Sequence, residues 1–142
     1  MSALSAIVAA LQADETLAGL LPGGIYDGLS VADVSRQATP DAFDEYQELL
    51  PCALVKAESA TPWGPLPDGG RLYVMVWLYE QHEFATIEAA RQRVYALLHR
   101  QQVSTTDGVF DVRHADDVLG AEVAALGVPT IASRYVATVW RG

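Results

Sequence analysis

Eight consecutive residues constrain this chain more than any others: Leu72, Tyr73, Val74, Met75, Val76, Trp77, Leu78 and Tyr79 are all apolar or aromatic. A strand sends successive side chains to opposite faces, so a strand written this way needs cover on both. The stretch that follows, to Arg100, changes to helical spacing. Phe84, Ile87, Arg91 (by its stem), Val94, Tyr95 and Leu98 form one stripe, flanked by Ala90 and Leu97, while Glu88, Gln92, Arg93 and Arg100 lie off it. His99 and Arg100 fall in the last turn, where positive charge complements the helix dipole. This helix can cover one face of the strand. The other face requires a second layer, an aromatic lid or another subunit.

The rest of the chain supplies shorter elements. Leu4, Ile7, Val8 and Leu11 give an amphipathic helix over 2–12, capped by Ser2 or Ser5. A second short turn over 15–21 stops at Pro22-Gly23-Gly24, and Ile25-Tyr26 reads as a brief strand or turn edge. From Leu29 to Leu49 neither period is clean, and DAFDEYQE carries four acids in eight residues. This stretch is either a solvated connection or an arm whose Phe43 and Tyr46 anchor on a neighbouring molecule.

PCALVKA, from Pro51, reads as a strand, and ESATPWGPLPDGG as a long hairpin loop stiffened by prolines and carrying Trp63 and Leu66. Trp63 is either a lid over the sheet edge or a contact anchor. After the central strand and helix, VFDVRH from Val109 alternates as a half-buried strand. ADDVLGAEVAALGVP is a third connection with a possible helical turn over 122–126, and TIASRYVATVW closes the chain as a β-branched strand. The expected fold is α+β: a mostly antiparallel four-stranded sheet with two helices on one face, long connecting loops, and a single domain over residues 1–142.

Composition narrows the function. With 51% hydrophobic and 19% charged residues, the chain is an ordered globular protein able to bury a core. A net charge of −9 argues against a nucleic-acid-binding surface, which needs a basic stripe. Cys52 is the single cysteine, so neither an internal disulfide nor a cysteine metal cluster can form. The residue pattern gives no signal peptide and no membrane span, so folding is expected in a cytoplasm.

Motifs for chemistry are sparse. Phosphate-binding loops, a GxSxG elbow and paired-histidine metal spacings are all missing from the sequence. His114-Ala115-Asp116-Asp117, near Asp107 and Asp111, is the one cluster to weigh. It is either a weak cation site or, more simply, a strand ending in a polar turn. Cys52 beside Pro51 reads as a buried small hydrophobe. No acid–base pair stands out, so no catalytic residue, cofactor or metal is expected.

LLPGGIYDG, SRQATPDAFDEYQELLPCALVK, RLYVMVWLYE, IEAARQRVYALLHRQ, VFDVRHADD and SRYVATVW together cover most of the chain. In order, length and local wording the sequence resembles the tail-completion and tail-terminator proteins of tailed bacteriophages. The resemblance implies a non-enzymatic virion protein at the tail–neck junction, assembled in the host cytoplasm as a hexameric ring. Such a ring caps the tail tube, stops its polymerisation and joins the tail to the head–neck connector. Implied partners are further copies of the chain, the major tail tube protein and the connector or stopper protein. DNA would only pass through the lumen, lined by acids for which DAFDEYQE and HADD are candidates. Phe43, Tyr46, Trp63, Leu66, Trp77 and Tyr79 are the expected subunit or partner contacts. Two other readings stay open: a head-completion or stopper protein of the same particle, and a small metal- or ligand-binding domain using His114, Asp116 and Asp117.

Overall fold

The computed structural model describes residues 3–63, 66–105, 108–122 and 127–140, with side chains for all of these except 59–63, 66–69, 108, 119–122, 139 and 140. In chain order the elements are helices α1 (Ala3–Gln12) and α2 (Glu15–Leu20), strand β1 (Ile25–Asp27), a 3₁₀ turn (Pro40–Ala42), and strands β2 (Cys52–Trp63) and β3 (Leu66–Tyr79). Helix α3 (Ala85–Leu98) and strands β4 (Gln101–Thr105), β5 (Gly108–Glu122) and β6 (Pro129–Trp140) follow. The strands form one sheet in the order β1-β2-β3-β6-β5-β4, curled into a half-barrel. β1 runs parallel to β2, and every other neighbouring pair is antiparallel.

This corrects the expected four-stranded, mostly antiparallel sheet with two helices: the sheet has six strands and is mixed, and three helices accompany it. The additional strands lie at the two edges. β1 is three residues long and gains its strand character from pairing with β2, through Ile25↔Ala53 and Tyr26↔Leu54. β4 reads QQVST, a polar edge with no apolar face to announce it.

β5 also runs beyond the expected end at His114. It carries two bulges, between His114 and Asp116 and between Leu119 and Ala121, each of which breaks the alternation that sequence reading depends on. The expected connection is strand as far as Glu122; the expected helical turn over 122–126 falls for the rest outside the described residues. Likewise β2 and β3 continue into the expected hairpin loop, as far as the pair Trp63↔Leu66.

The principal core lies between the helices and the concave face of the sheet. Leu4, Ile7 and Leu11 of α1, Leu17 of α2, and Ile87, Ala90, Val94 and Leu98 of α3 pack on Val55, Val74, Val76, Leu78, Val112, Ile131, Tyr135 and Ala137. Each fully buried aliphatic side chain contributes about 1.5–3 kcal/mol. Phe84 and Tyr95, expected on the α3 stripe, lie instead at its margin with about 40% of their surface exposed. Helix α1 lies against both β1 and β4, so it spans the gap between the two edges of the half-barrel. Two carboxylates organise the helix ends. Glu80, buried just after β3, accepts the Ile87 N–H at the start of α3. Asp14 caps α2 through the Leu17 N–H and receives a bidentate pair from Arg93 of α3, at 2.9 and 2.7 Å.

The second face of β3 is partly covered by the chain's own 28–50 segment. Val34, Ala42, Phe43 and Leu49 turn inward and form a second cluster with Cys52, Leu54, Tyr79 and Val128, against which Tyr26 and Trp77 pack. The segment is therefore neither a merely solvated connection nor a free arm. Farther along the same face the surface is ionic: Arg134 bridges Glu58 at 3.0 Å and Asp116 at 3.1 Å.

Candidate functional site

Two places concentrate polar chemistry or exposed aromatic surface. The first lies beneath α3. The bulge at Ala115 adds one residue to β5, so His114 pairs with Tyr135 while Asp117 pairs with Ser133. In a regular strand, residues three apart point to opposite faces; the bulge turns both His114 and Asp117 toward the helix. Asp117 Oδ1 receives the Ser133 hydroxyl at 2.7 Å and lies 2.9 Å from His114 Nε2. Asp117 Oδ2 receives Arg91 Nη1 at 3.0 Å, and Arg91 also forks onto Glu88 one turn earlier.

Burial pulls the Asp117 carboxyl upward, but the hydrogen bonds from Ser133 and His114 and the Arg91 charge together hold it below the ordinary carboxylate range. The Arg91 hydrogen bond lowers Glu88 in the same way. Aromatic rings close the network: Tyr95 stacks on His99 at 4.6 Å, and His114 sits edge-on to both Tyr95 and Tyr135, at 5.3 Å from each. The fully buried Tyr135 hydroxyl makes no hydrogen bond among the described residues.

The arrangement binds the helix to the sheet. A serine–histidine–aspartate relay places the imidazole between hydroxyl and carboxylate, so that the ring can take the hydroxyl proton. Here the carboxylate stands in the middle and takes both hydrogen bonds, so the imidazole is not placed to take the Ser133 proton. The ligand-binding alternative is divided by the same geometry. His114 and Asp117 face α3, Asp116 points to the opposite face toward Arg134, and Asp107 lies outside the described residues. Among the described residues no group of three His, Cys, Asp or Glu side chains could hold a metal ion. Cys52 is buried, and burial pushes its thiol up to about 12, which suits the packing role expected of it.

The second place is a small hairpin. Phe43 and Leu49 form an antiparallel bridge, and Asp44 orders the turn between them by accepting the N–H groups of Tyr46 at 2.8 Å and Glu48 at 3.0 Å. Gln47 takes a left-handed φ of 64°, and its carbonyl accepts Arg36 Nη2 at 2.8 Å while that guanidinium lies over the Phe43 ring. Leu49 N–H is held by Gln81 Oε1 at 2.7 Å. The result is a braced tip that carries Tyr46 with 78% of its surface open.

The six expected contact residues therefore occupy different environments. Phe43 and Tyr79 are buried in the second cluster, Trp77 is half-buried against it, and Tyr46 projects from the braced tip. Trp63 and Leu66 pair across the end of the β2–β3 hairpin, and their side chains are not described.

No protein-family model matches the sequence, and no curated protein matches it either. The fold does have a match. A chain from the solved virion of a native gene transfer agent particle superposes with a TM-score of 0.75, at 17% identity, over 98% of this chain and 95% of that one. The likeness thus extends over nearly the whole of both chains and is not one of a shared fragment. Sequence reading missed Arg91, Ser133, Tyr95 and Tyr135 as members of the polar network, because only the β5 bulge and the β5–β6 register bring them to His114 and Asp117.

Proposed function

We propose that this chain is a structural protein of a phage-like virion, and within it a tail terminator. Several copies, six by the resemblance, form a ring that caps the tail tube, stops its polymerisation and presents a face to the head–neck connector. The observation that carries this reading is the whole-chain fold likeness to a chain of a gene transfer agent virion. The polar network supports a structural rather than a catalytic role, since its groups spend their hydrogen bonds on each other.

Contacts with other subunits or with the tube fall to the hairpin tip at Tyr46 and to the β2–β3 hairpin end with Trp63 and Leu66. Phe43, Trp77 and Tyr79 form the platform under that tip. A tyrosine held on a braced turn loses little conformational freedom on docking, which makes it an efficient anchor. The surrounding acids, Asp44, Glu45 and Glu48, suit a lumen or rim that DNA passes without adhering.

The test is assembly. Purified protein, alone and mixed with the tail tube protein of the same particle, is imaged by negative stain while tube length is followed. Rings on tube ends and shortened tubes support the terminator. Preferential binding to the isolated portal ring reassigns the chain as a stopper of the neck, and a monomer without effect on tubes removes both.

A further inference from the structure

We propose that His99 is an acid-released latch that holds the corner between α3 and β4 onto β5. The corner is a sharp one. α3 ends at Leu98, His99 turns out with ψ of 126°, and Arg100 adopts a left-handed φ of 62° before β4 begins. Two hydrogen bonds pin the corner to β5: Arg100 N–H donates to Val112 C=O at 2.8 Å, and His114 N–H donates to His99 Nδ1 at 3.0 Å.

The second bond fixes the chemistry of the ring. A backbone N–H only donates, so Nδ1 must offer its lone pair, and the single ring proton must sit on Nε2. A second proton can enter only at Nδ1. It destroys the acceptor and leaves two donors facing each other.

The charged and titratable neighbours weigh against that second proton. The α3 C-terminus and Asp111 of β5 favour a cationic ring, as would Glu88 and Asp117 at greater reach. Arg100 at the corner and Arg113 and His114 of β5 oppose it, while the stacked face of Tyr95 on α3 offers a modest attraction to a cation. β4 carries no charged residue. Loss of solvent, followed by the charges of Arg100, Arg113 and His114, accordingly places His99 below the ordinary histidine value.

With the neutral ring favoured in the fold, the latch is fully closed above about pH 6.5 and opens as the pH falls below that value. The His114 N–H is then freed and the corner is held by Arg100 N–H to Val112 C=O alone, while the α3–sheet ties through Arg91 and Asp117 stay ionic and intact.

The test is imidazole and amide NMR of the full chain, with His99→Asn as the comparison. The asparagine carbonyl can occupy the place of Nδ1 as an acceptor that does not titrate. At pH 7 the wild-type His99 shows an unprotonated Nδ1. On acidification from pH 7 to 5, protection of the His114 amide against exchange falls by about tenfold or more, in step with His99 titration. In His99→Asn that protection stays level over the same range. An Nδ1–H tautomer, a His99 titration at or above the ordinary histidine value, or an equal fall in the variant each overturns the latch. If His99→Asn does not fold, the wild-type tautomer and titration alone decide.

Discussion

Single atoms decide much of what this fold tolerates. The Tyr135 hydroxyl is enclosed between the sheet and α3 with no partner among the described residues, close to the Asp117 charge, and burial pushes its ionisation far up. A buried hydroxyl without a partner costs more than it contributes. Tyr135→Phe is expected to raise unfolding stability by about 1 kcal/mol in urea titrations, and a loss of that size would show that the hydroxyl is satisfied. Asp14 is the opposite case. The Arg93 hydrogen bond, with the Leu17 N–H, lowers its carboxyl from the usual 3.8 to about 2. The folded state thus holds the anion. Its stabilisation is complete above about pH 4 and disappears as the pH falls through about 2. Asp14→Asn should therefore lower the melting temperature at pH 6 and flatten the melting-temperature curve between pH 4 and pH 2. A variant curve parallel to wild type would place the acid sensitivity elsewhere.

Elements differ in how much of them can be read before folding. The β3–α3 unit is legible because an unbroken apolar run gives way at once to helical spacing, and the structure places the strand and helix at Leu66–Tyr79 and Ala85–Leu98. β4 is not legible, since an exposed polar edge strand has no pattern beyond its hydrogen bonds to β5. The 28–50 segment hides its role for a related reason: Val34, Ala42, Phe43 and Leu49 are spaced irregularly, and only their common burial against Tyr79 and Trp77 makes them a layer. The polar network was half visible. HADD stood out, but the bulge assigns His114 and Asp117 to one face and Asp116 to the other, and nothing in the sequence marks Ser133 as their partner. Helix α3 also lacks a side-chain cap of its own at Phe84, and Glu80 supplies one from the end of β3. Removing it in Glu80→Ala orphans the Ile87 N–H at a buried helix start and should cost about 1–2 kcal/mol. Unchanged stability would mean that another acceptor reaches that N–H.

At the scale of the molecule, the apolar excess of β3 is largely answered within the chain. Helices cover one face, and the 28–50 segment covers the Trp77–Tyr79 end of the other. Among the described residues Tyr46, on its braced tip, is the most exposed large apolar or aromatic side chain, ahead of Leu29, Val109 and Val118. Under the proposed terminator role, a sheet already closed over its own core lets the subunit fold before it assembles through the Tyr46 tip. It also separates folding from assembly experimentally, because Tyr46 lies outside both clusters and Tyr46→Ala should leave the fold intact. The most direct measurement is the mass and shape of the purified protein with its tail tube protein, by native mass spectrometry and negative-stain imaging, for wild type and Tyr46→Ala. The terminator account predicts hexameric rings on tube ends for wild type, and a folded variant whose rings are lost or weakened about tenfold or more. A wild-type chain that stays monomeric while tubes elongate unchecked would contradict it.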